Sequence, residues 1–179
     1  MQFTPRHLCL AAAAIALTAS ASQAQVSPSG FRARVQLEMR ATPAKVFDAL
    51  VQVSEWWSPK HTYSGDAKNL SLDARPGGCF CERLSNGGGA EHLRVIHVVP
   101  GQMLRMSGAL GPLQGLGVAG SLSVELKPSF FGTSVELIYS VGGFSEGGFN
   151  QLAPAVQGVL TDQMNRLKAY VETGRPGRD

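Results

Sequence analysis

From Phe31 to Arg40 the chain alternates without a break: Phe31, Ala33, Val35, Leu37 and Met39 against Arg32, Arg34, Gln36, Glu38 and Arg40. A period of two predicts a half-buried antiparallel strand. The same period returns over Ser121–Lys127, with Leu122, Val124 and Leu126 inward. It returns again over Thr133–Val141, with Val135, Leu137, Tyr139 and Val141 on one face. Shorter strands are expected over Asn69–Asp73, Cys79–Leu84, His92–Val99 and Met103–Ser107. Within His92–Val99 the alternation puts Leu93, Val95, His97 and Val99 on one face. Pro76-Gly77-Gly78 and Pro100-Gly101 turn the chain between these strands, and Asn86-Gly87-Gly88-Gly89 is a strong hairpin signal.

The period then lengthens. Leu152, Val156, Val159, Leu160, Met164, Leu167, Tyr170 and Val171 recur at steps of three and four, which places them on one stripe of an α-helix. Gln157, Asp162, Asn165, Arg166, Lys168 and Glu172 fall mostly on its polar side. Pro154 fits only the first turn, so the helix starts near Leu152 or Ala153. Gly174 and Pro176 stop it. A rod of about twenty residues spans ~30 Å, the width of a small domain. It cannot bury its stripe alone. Two shorter helical pieces follow the first strand. Thr42-Pro43 caps one carrying Val46, Phe47, Leu50 and Val51, and Ser54–Ser58 carries Trp56 and Trp57.

Strand, two short helices, about six strands and a long helix make an α+β order. Short turns between consecutive strands imply an antiparallel meander. A curved sheet of about six or seven strands wrapped around the terminal helix is the compact way to bury that stripe. Gly108–Gly117 breaks both patterns. It mixes five residues of Gly and Pro with Leu110, Leu113 and Leu116, and reads as a flexible flap.

The first residues are expected to be a targeting signal rather than part of the fold. Arg6 and His7 open it, an apolar run follows from Leu8 to Ala19, and Ser22 and Ala24 occupy the small-x-small positions of a cleavage site. Cys9 opens the apolar run instead of closing it, which argues against a lipid anchor. The expected organisation is a signal peptide over 1–24, an exposed leader over 25–30, one domain over 31–174, and a disordered tail over 175–179. No later stretch is apolar for the ~20 residues a membrane span needs. An exported, periplasmic product is the expectation. The remaining ~155 residues suffice for one domain with a proper core. The formal charge of +3 drops by one with Arg6, too little to capture nucleic acid. Arg32, Arg34 and Arg40 read as a solvated face.

Ala41-Thr42-Pro43-Ala44-Lys45-Val46-Phe47-Asp48-Ala49-Leu50 follows the first strand, and Trp56-Trp57-Ser58-Pro59 and Arg75-Pro76-Gly77-Gly78 come next. Val98-Val99-Pro100-Gly101 and Gly132-Thr133 complete the set. In this order the motifs resemble the helix-grip fold of the START / Bet v 1-like superfamily, and within it the branch named for similarity to activators of the Hsp90 ATPase. The resemblance implies a cavity between sheet and long helix that accepts a small apolar or aromatic molecule. Hsp90 itself is not expected as a partner, because that role is cytosolic and this chain reads as exported. ATPase activity is not expected either: the glycines at Gly87–Gly89 lack a following Lys-Ser/Thr.

Candidate chemistry is sparse. Cys79 and Cys81 stand two apart on one strand face and are compatible with buried thiols, a disulfide, soft-metal ligands or a reactive thiol. A disulfide needs the backbone to bend there. The metal reading needs His97 or His61 alongside. Trp56, Trp57, His61 and Tyr63 form an aromatic cluster that suits either a pocket rim or packing of the small helix. Glu82 and Glu125 fall opposite the apolar faces and read as solvated. No Ser-His-Asp order, acid dyad or metal-spaced histidine set occurs, so no cofactor is expected. The expected ligand-binding residues are Trp57, His97, Leu110, Leu113, Gln114, Tyr139, Val156, Leu160 and Met164, with Leu116 at the gate and Val135 and Leu137 on the wall. A cyclase or lyase moving a proton with His97 or Tyr139 is the alternative. A module docking a protein on its aromatic cluster is a third reading.

Overall fold

The computed structural model describes residues 23–177. Of the expected signal over 1–24, residues 1–22 lie outside the described residues. Strands β1 (Gln25–Ser27) and β2 (Gly30–Met39) open the fold. Helices α1 (Pro43–Val51) and α2 (Val53–Trp56) follow. Next come β3 (Leu70–Leu72), β4 (Cys79–Arg83), β5 (Gly89–Val99), β6 (Met103–Gly108), β7 (Gly117–Ser129) and β8 (Gly132–Phe144). Helix α3 (Leu152–Thr173) closes the chain. The strands form one eight-stranded antiparallel sheet in the order β1-β2-β8-β7-β6-β5-β4-β3. Together these elements make the expected α+β helix-grip architecture, with one strand more than the alternation predicts. The extra strand is β1: the segment expected as an exposed leader is exposed over 25–29 and forms a hairpin with β2, Val26 opposite Phe31.

Local chemistry accounts for the element ends. Thr42 caps α1, its hydroxyl accepting from the Lys45 amide, and Pro43 sits in the first turn where its missing N–H costs nothing. Asn86 and Gly87 both have positive φ (59° and 77°), the conformation that lets a tight turn join β4 to β5. Gly174 ends α3 in the left-handed region, with its N–H returned to the Tyr170 carbonyl. The tail does not leave the fold at once, since Arg166 donates through Nη1 to the Gly177 carbonyl.

The core is the concave face of the sheet pressed against α1, α2 and one stripe of α3. Val35, Leu104, Val124, Val135, Leu160, Met164 and Leu167 are all buried there. Two residues placed on the polar side of α3, or given no role, are also buried: Gln157 and Gln163. Gln157 bonds the main chain of Arg34 in β2, and Gln163 accepts from the Ser58 amide at 2.8 Å. A buried amide is tolerated when such partners exist, which is why polarity alone misplaced Gln157. Arg32, Arg34 and Arg40 do lie on the exposed face, Arg34 paired with Glu136. Among the described residues no helix is long and apolar enough to cross a membrane.

Candidate functional site

Cys79 and Cys81 are joined by a disulfide, with Cα atoms 5.4 Å apart. A register shift against β5 at Phe80/Cys81 supplies the bend that a bridge between such near neighbours requires. Among the described residues no group of three or more His, Cys, Asp and Glu side chains is placed to hold a metal ion.

The two cysteines occupy one face of β4, and the other face points inward with Phe80 and Glu82. Glu82 is therefore not solvated as expected: its side chain is 0% exposed. It survives burial because its carboxylate accepts from the main-chain N–H groups of Tyr63 and Ser64 and lies 2.9 Å from Nε2 of His92. Burial pushes the carboxyl up, but the hydrogen bonds from Ser64, Tyr63 and His92 outweigh it and hold the group below its ordinary value. Glu82 is thus ionised at neutral pH.

His92 reaches Glu82 through an irregularity in β5. Phe80 pairs with Leu93 and Cys81 with Glu91, so His92 is an extra residue in the ladder. Such a bulge lets two successive side chains, His92 and Leu93, both turn inward. A second shift leaves Ile96 as an extra residue between Val95 and His97. It inverts the alternation beyond it, and His97 points to solvent. The histidine expected on the inner face is therefore not His97 but His92.

His92 stands on the wall of a cavity of about 290 Å³ between α3 and the sheet. Helix α3 contributes Leu152, Val156, Val159 and Leu160. The sheet contributes Phe80 and His92, the segment after α2 contributes Trp57 and residues 60–63, and the turn over 110–113 closes the remaining side. Exposed Lys60, His61, Tyr63 and Pro112 surround its mouth. A void of about 30 Å³ adjoins it, sharing Trp57, Phe80, Leu110 and Leu160, and has Gln163 and Met164 in its lining. A wider concavity of about 670 Å³ between Tyr63, Asn69 and Arg83 has partly to fully exposed walls and is an open surface groove.

The aromatic cluster is built as packing as well as lining. Trp56 donates to the Ala49 carbonyl and Trp57 to the His61 carbonyl, each at 2.9 Å. Trp57 meets the edge of Phe80 with ring centres 5.3 Å apart. Both indoles are buried, so they offer no face to a docking protein. The exposed aromatic pair is instead Phe130 and Phe131, at the β7–β8 turn.

Of the expected binding residues, Trp57, Leu110, Leu113, Val156 and Leu160 line the main cavity, and Met164 lines the adjoining void. Gln114 faces away and donates to the Glu91 carbonyl. Tyr139 is fully buried and lines neither space. Its hydroxyl accepts from the Leu110 amide at 2.9 Å and donates to the Gly108 carbonyl at 3.1 Å. Burial pushes its pKa up to about 12, so the phenol stays protonated near neutrality and does not serve as a base there. Gly120 makes room for that ring, since a Cβ there would sit 2.7 Å from Tyr139 Cε2. The expected flap is thus a 3₁₀ turn over Gly111–Gly115, pinned by Tyr139 on one side and Gln114 on the other, with Leu113 buried beneath it and Leu116 exposed.

No protein-family model matches the sequence, and no curated protein matches it. Solved structures do match its shape. An uncharacterised protein from Rhizobium leguminosarum superposes with a TM-score of 0.59 at 19% identity, over 78% of this chain and 93% of its own. The Aha1 dimer from Colwellia psychrerythraea gives 0.54 at 17% identity, over 80% of this chain and 97% of its own. DynU16, a protein of the dynemicin biosynthetic locus, gives 0.56 at 18% identity, over 83% of this chain and 49% of its own. At these identities the likeness is one of fold, and that fold is the helix grip.

Proposed function

We propose that the protein is an exported carrier that holds a small apolar or aromatic molecule between α3 and the sheet. The observation that carries the reading is the cavity of about 290 Å³ walled by Trp57, Phe80, Leu113, Val156 and Leu160. Its volume is that of about ten waters, suited to a molecule of one or two rings. Burying ~200 Å² of such a guest gains roughly 5 kcal/mol before ordering costs. The fold shared with Aha1 and DynU16 is compatible with this role but does not specify it, because one fold hosts many functions. The motif order resembles that of the Hsp90-activator-like branch of the START / Bet v 1-like superfamily, which is in keeping with an internal cavity. Export would separate it from Hsp90.

Native mass spectrometry of the purified protein, with a naphthalene titration followed by tryptophan fluorescence, tests the reading. A co-purifying small molecule or saturable naphthalene binding supports it. A protein that carries nothing and leaves naphthalene unbound would sink it. Cell fractionation with a mass measurement tests export; a chain still starting at Met1 in the cytosol refutes that part.

A cyclase or lyase is the second reading, and one observation favours it. His92 stands on the cavity wall with the buried Glu82 carboxylate 2.9 Å from its Nε2, a pair through which a proton could be moved. It takes the place given above to His97 and Tyr139. Turnover of a cyclisable substrate that is lost in His92→Phe would establish it.

A further inference from the structure

We propose that Glu82 and His92 form a hydrogen-bond-accepting subsite, selecting among apolar guests those that carry a hydroxyl on an aromatic ring. The inference rests on the carrier reading above and names its ligand class.

The ionised carboxylate of Glu82 accepts at the 2.9 Å contact, so Nε2 of His92 carries the hydrogen. With that single proton on the ring, Nδ1 is a bare acceptor. That atom is buried and has no partner. The ring cannot readily turn to find one. Tyr63 stacks on it with centres 5.6 Å apart, Phe80 packs against it at 5.2 Å, and Glu82 holds its far nitrogen. The bulge that brings His92 inward departs from regular pairing, and bulges of this kind re-aim side chains next to functional sites.

The need of Nδ1 and the walls of the cavity together define the guest. An unmet buried acceptor is costly, and a donor arriving with the guest relieves that cost. The donor should be neutral. A carboxylate guest would face the buried charge of Glu82, and an ammonium guest would shed its water into an otherwise apolar hollow. Trp57 and Phe80 favour a flat ring as the body of the molecule. An aromatic alcohol meets all three conditions.

The test compares 1-naphthol with naphthalene on the full chain, by tryptophan fluorescence and by calorimetry. The expected result is 1-naphthol binding about tenfold tighter, the size of one hydrogen bond to an otherwise unmet group. His92→Phe removes the acceptor and should erase the preference for 1-naphthol over naphthalene, the ratio of the two affinities falling to about one. Should that variant not fold, ¹⁵N imidazole spectra of the wild type carry the test. They should show the Nε2–H tautomer, with the His92 Nδ1 resonance moving on addition of 1-naphthol and not of naphthalene. Equal affinities in the wild type overturn the subsite and leave the carrier reading standing. So does a preference that survives in His92→Phe, or an Nδ1 resonance indifferent to both compounds. Failure of both compounds to bind the wild type overturns the carrier reading, and the subsite with it.

Discussion

Gln157 of α3 grips the main chain of Arg34 in β2 from both sides of its amide: Oε1 accepts from the Arg34 N–H and Nε2 donates to the Arg34 carbonyl, each at 2.9 Å. The reason lies in the sheet edge. β1 pairs with β2 only as far as Arg32, so from Arg34 onward one side of β2 has no neighbouring strand. Further along, Glu172 accepts from the Arg40 amide. Fifteen helical residues rise ~22 Å and six strand residues ~20 Å, so the two contacts stay in step along α3 and β2. The helix substitutes side chains for the missing strand and fixes its own register on the sheet.

Gln157→Ala should therefore destabilise the fold by about 2 kcal/mol, because two half-buried main-chain groups lose their partners at once. Glu172→Ala, at an exposed contact, should cost under ~1 kcal/mol. Urea denaturation of both variants checks the ranking. Equal costs would show that the edge of β2 does not depend on Gln157.

Elements with unbroken local periodicity were legible in the sequence. The alternation of β2, β7 and β8 survives intact in the sheet, and α3 starts at Leu152 and stops at Gly174 as its Pro and Gly signals dictate. What was not legible is what a second strand must supply. The extra residues at His92 and Ile96 exist only relative to the pairing with β4 and β6, and they exchange the roles of His92 and His97. Glu82 read as solvated because it was set opposite the apolar faces, and the donors that let it be buried come from Tyr63, Ser64 and His92, ten or more residues away in sequence. A signal was present nonetheless. Glu82 shares strand parity with Phe80, and a turn at Asn86-Gly87 folds the chain so that position 82 meets 90–92.

The Glu82 carboxyl is held below its ordinary value in the folded protein. The sign follows from linkage: the unfolded chain takes up the proton first as pH falls. Glu82 thus contributes stability that is fully present above its ordinary value of 4.5 and is lost as pH falls through the lower folded value. Glu82→Gln should flatten the acid limb of the stability–pH curve and cost about 3 kcal/mol near neutrality, since the Tyr63 and Ser64 amides and the His92 ring lose a charged acceptor. Urea midpoints taken between about pH 3 and 7 check it. An unchanged acid limb would refute this role.

Tyr139 behaves in the opposite sense. Its folded pKa is raised from 10.0 to about 12 by burial, so its contribution is complete below pH 10 and lost as pH rises toward 12. Alkaline difference absorbance should show this tyrosine ionising late, together with unfolding. Tyr139→Phe should remove that late step and free the Leu110 amide and Gly108 carbonyl, at about 1–2 kcal/mol. Faster amide exchange over 108–116 in the variant reports the same loss locally. A late step that persists in Tyr139→Phe would assign it elsewhere.

Val156 faces the cavity from α3, one turn before Leu160, and is only partly buried. It therefore lies nearer the mouth than the floor. Val156→Trp would lay an indole into the hollow, where it finds Trp57 and Leu113 as neighbours. Filling space that is already open differs from forcing bulk into a packed core, so the usual overpacking cost of 1–3 kcal/mol should be largely absent. The gain in buried apolar area is offset by ordering the larger side chain, and stability should stay within about 1 kcal/mol of the wild type. Naphthalene binding should fall by more than about tenfold, because the guest and the indole compete for the same space. Gln114→Ala is the matched control. Gln114 sits on the outer side of the same turn with its amide on Glu91, and its loss should leave naphthalene binding alone. If Val156→Trp folds and binds naphthalene as the wild type does, the guest sits elsewhere and the hollow beneath α3 is a packing defect with no cargo.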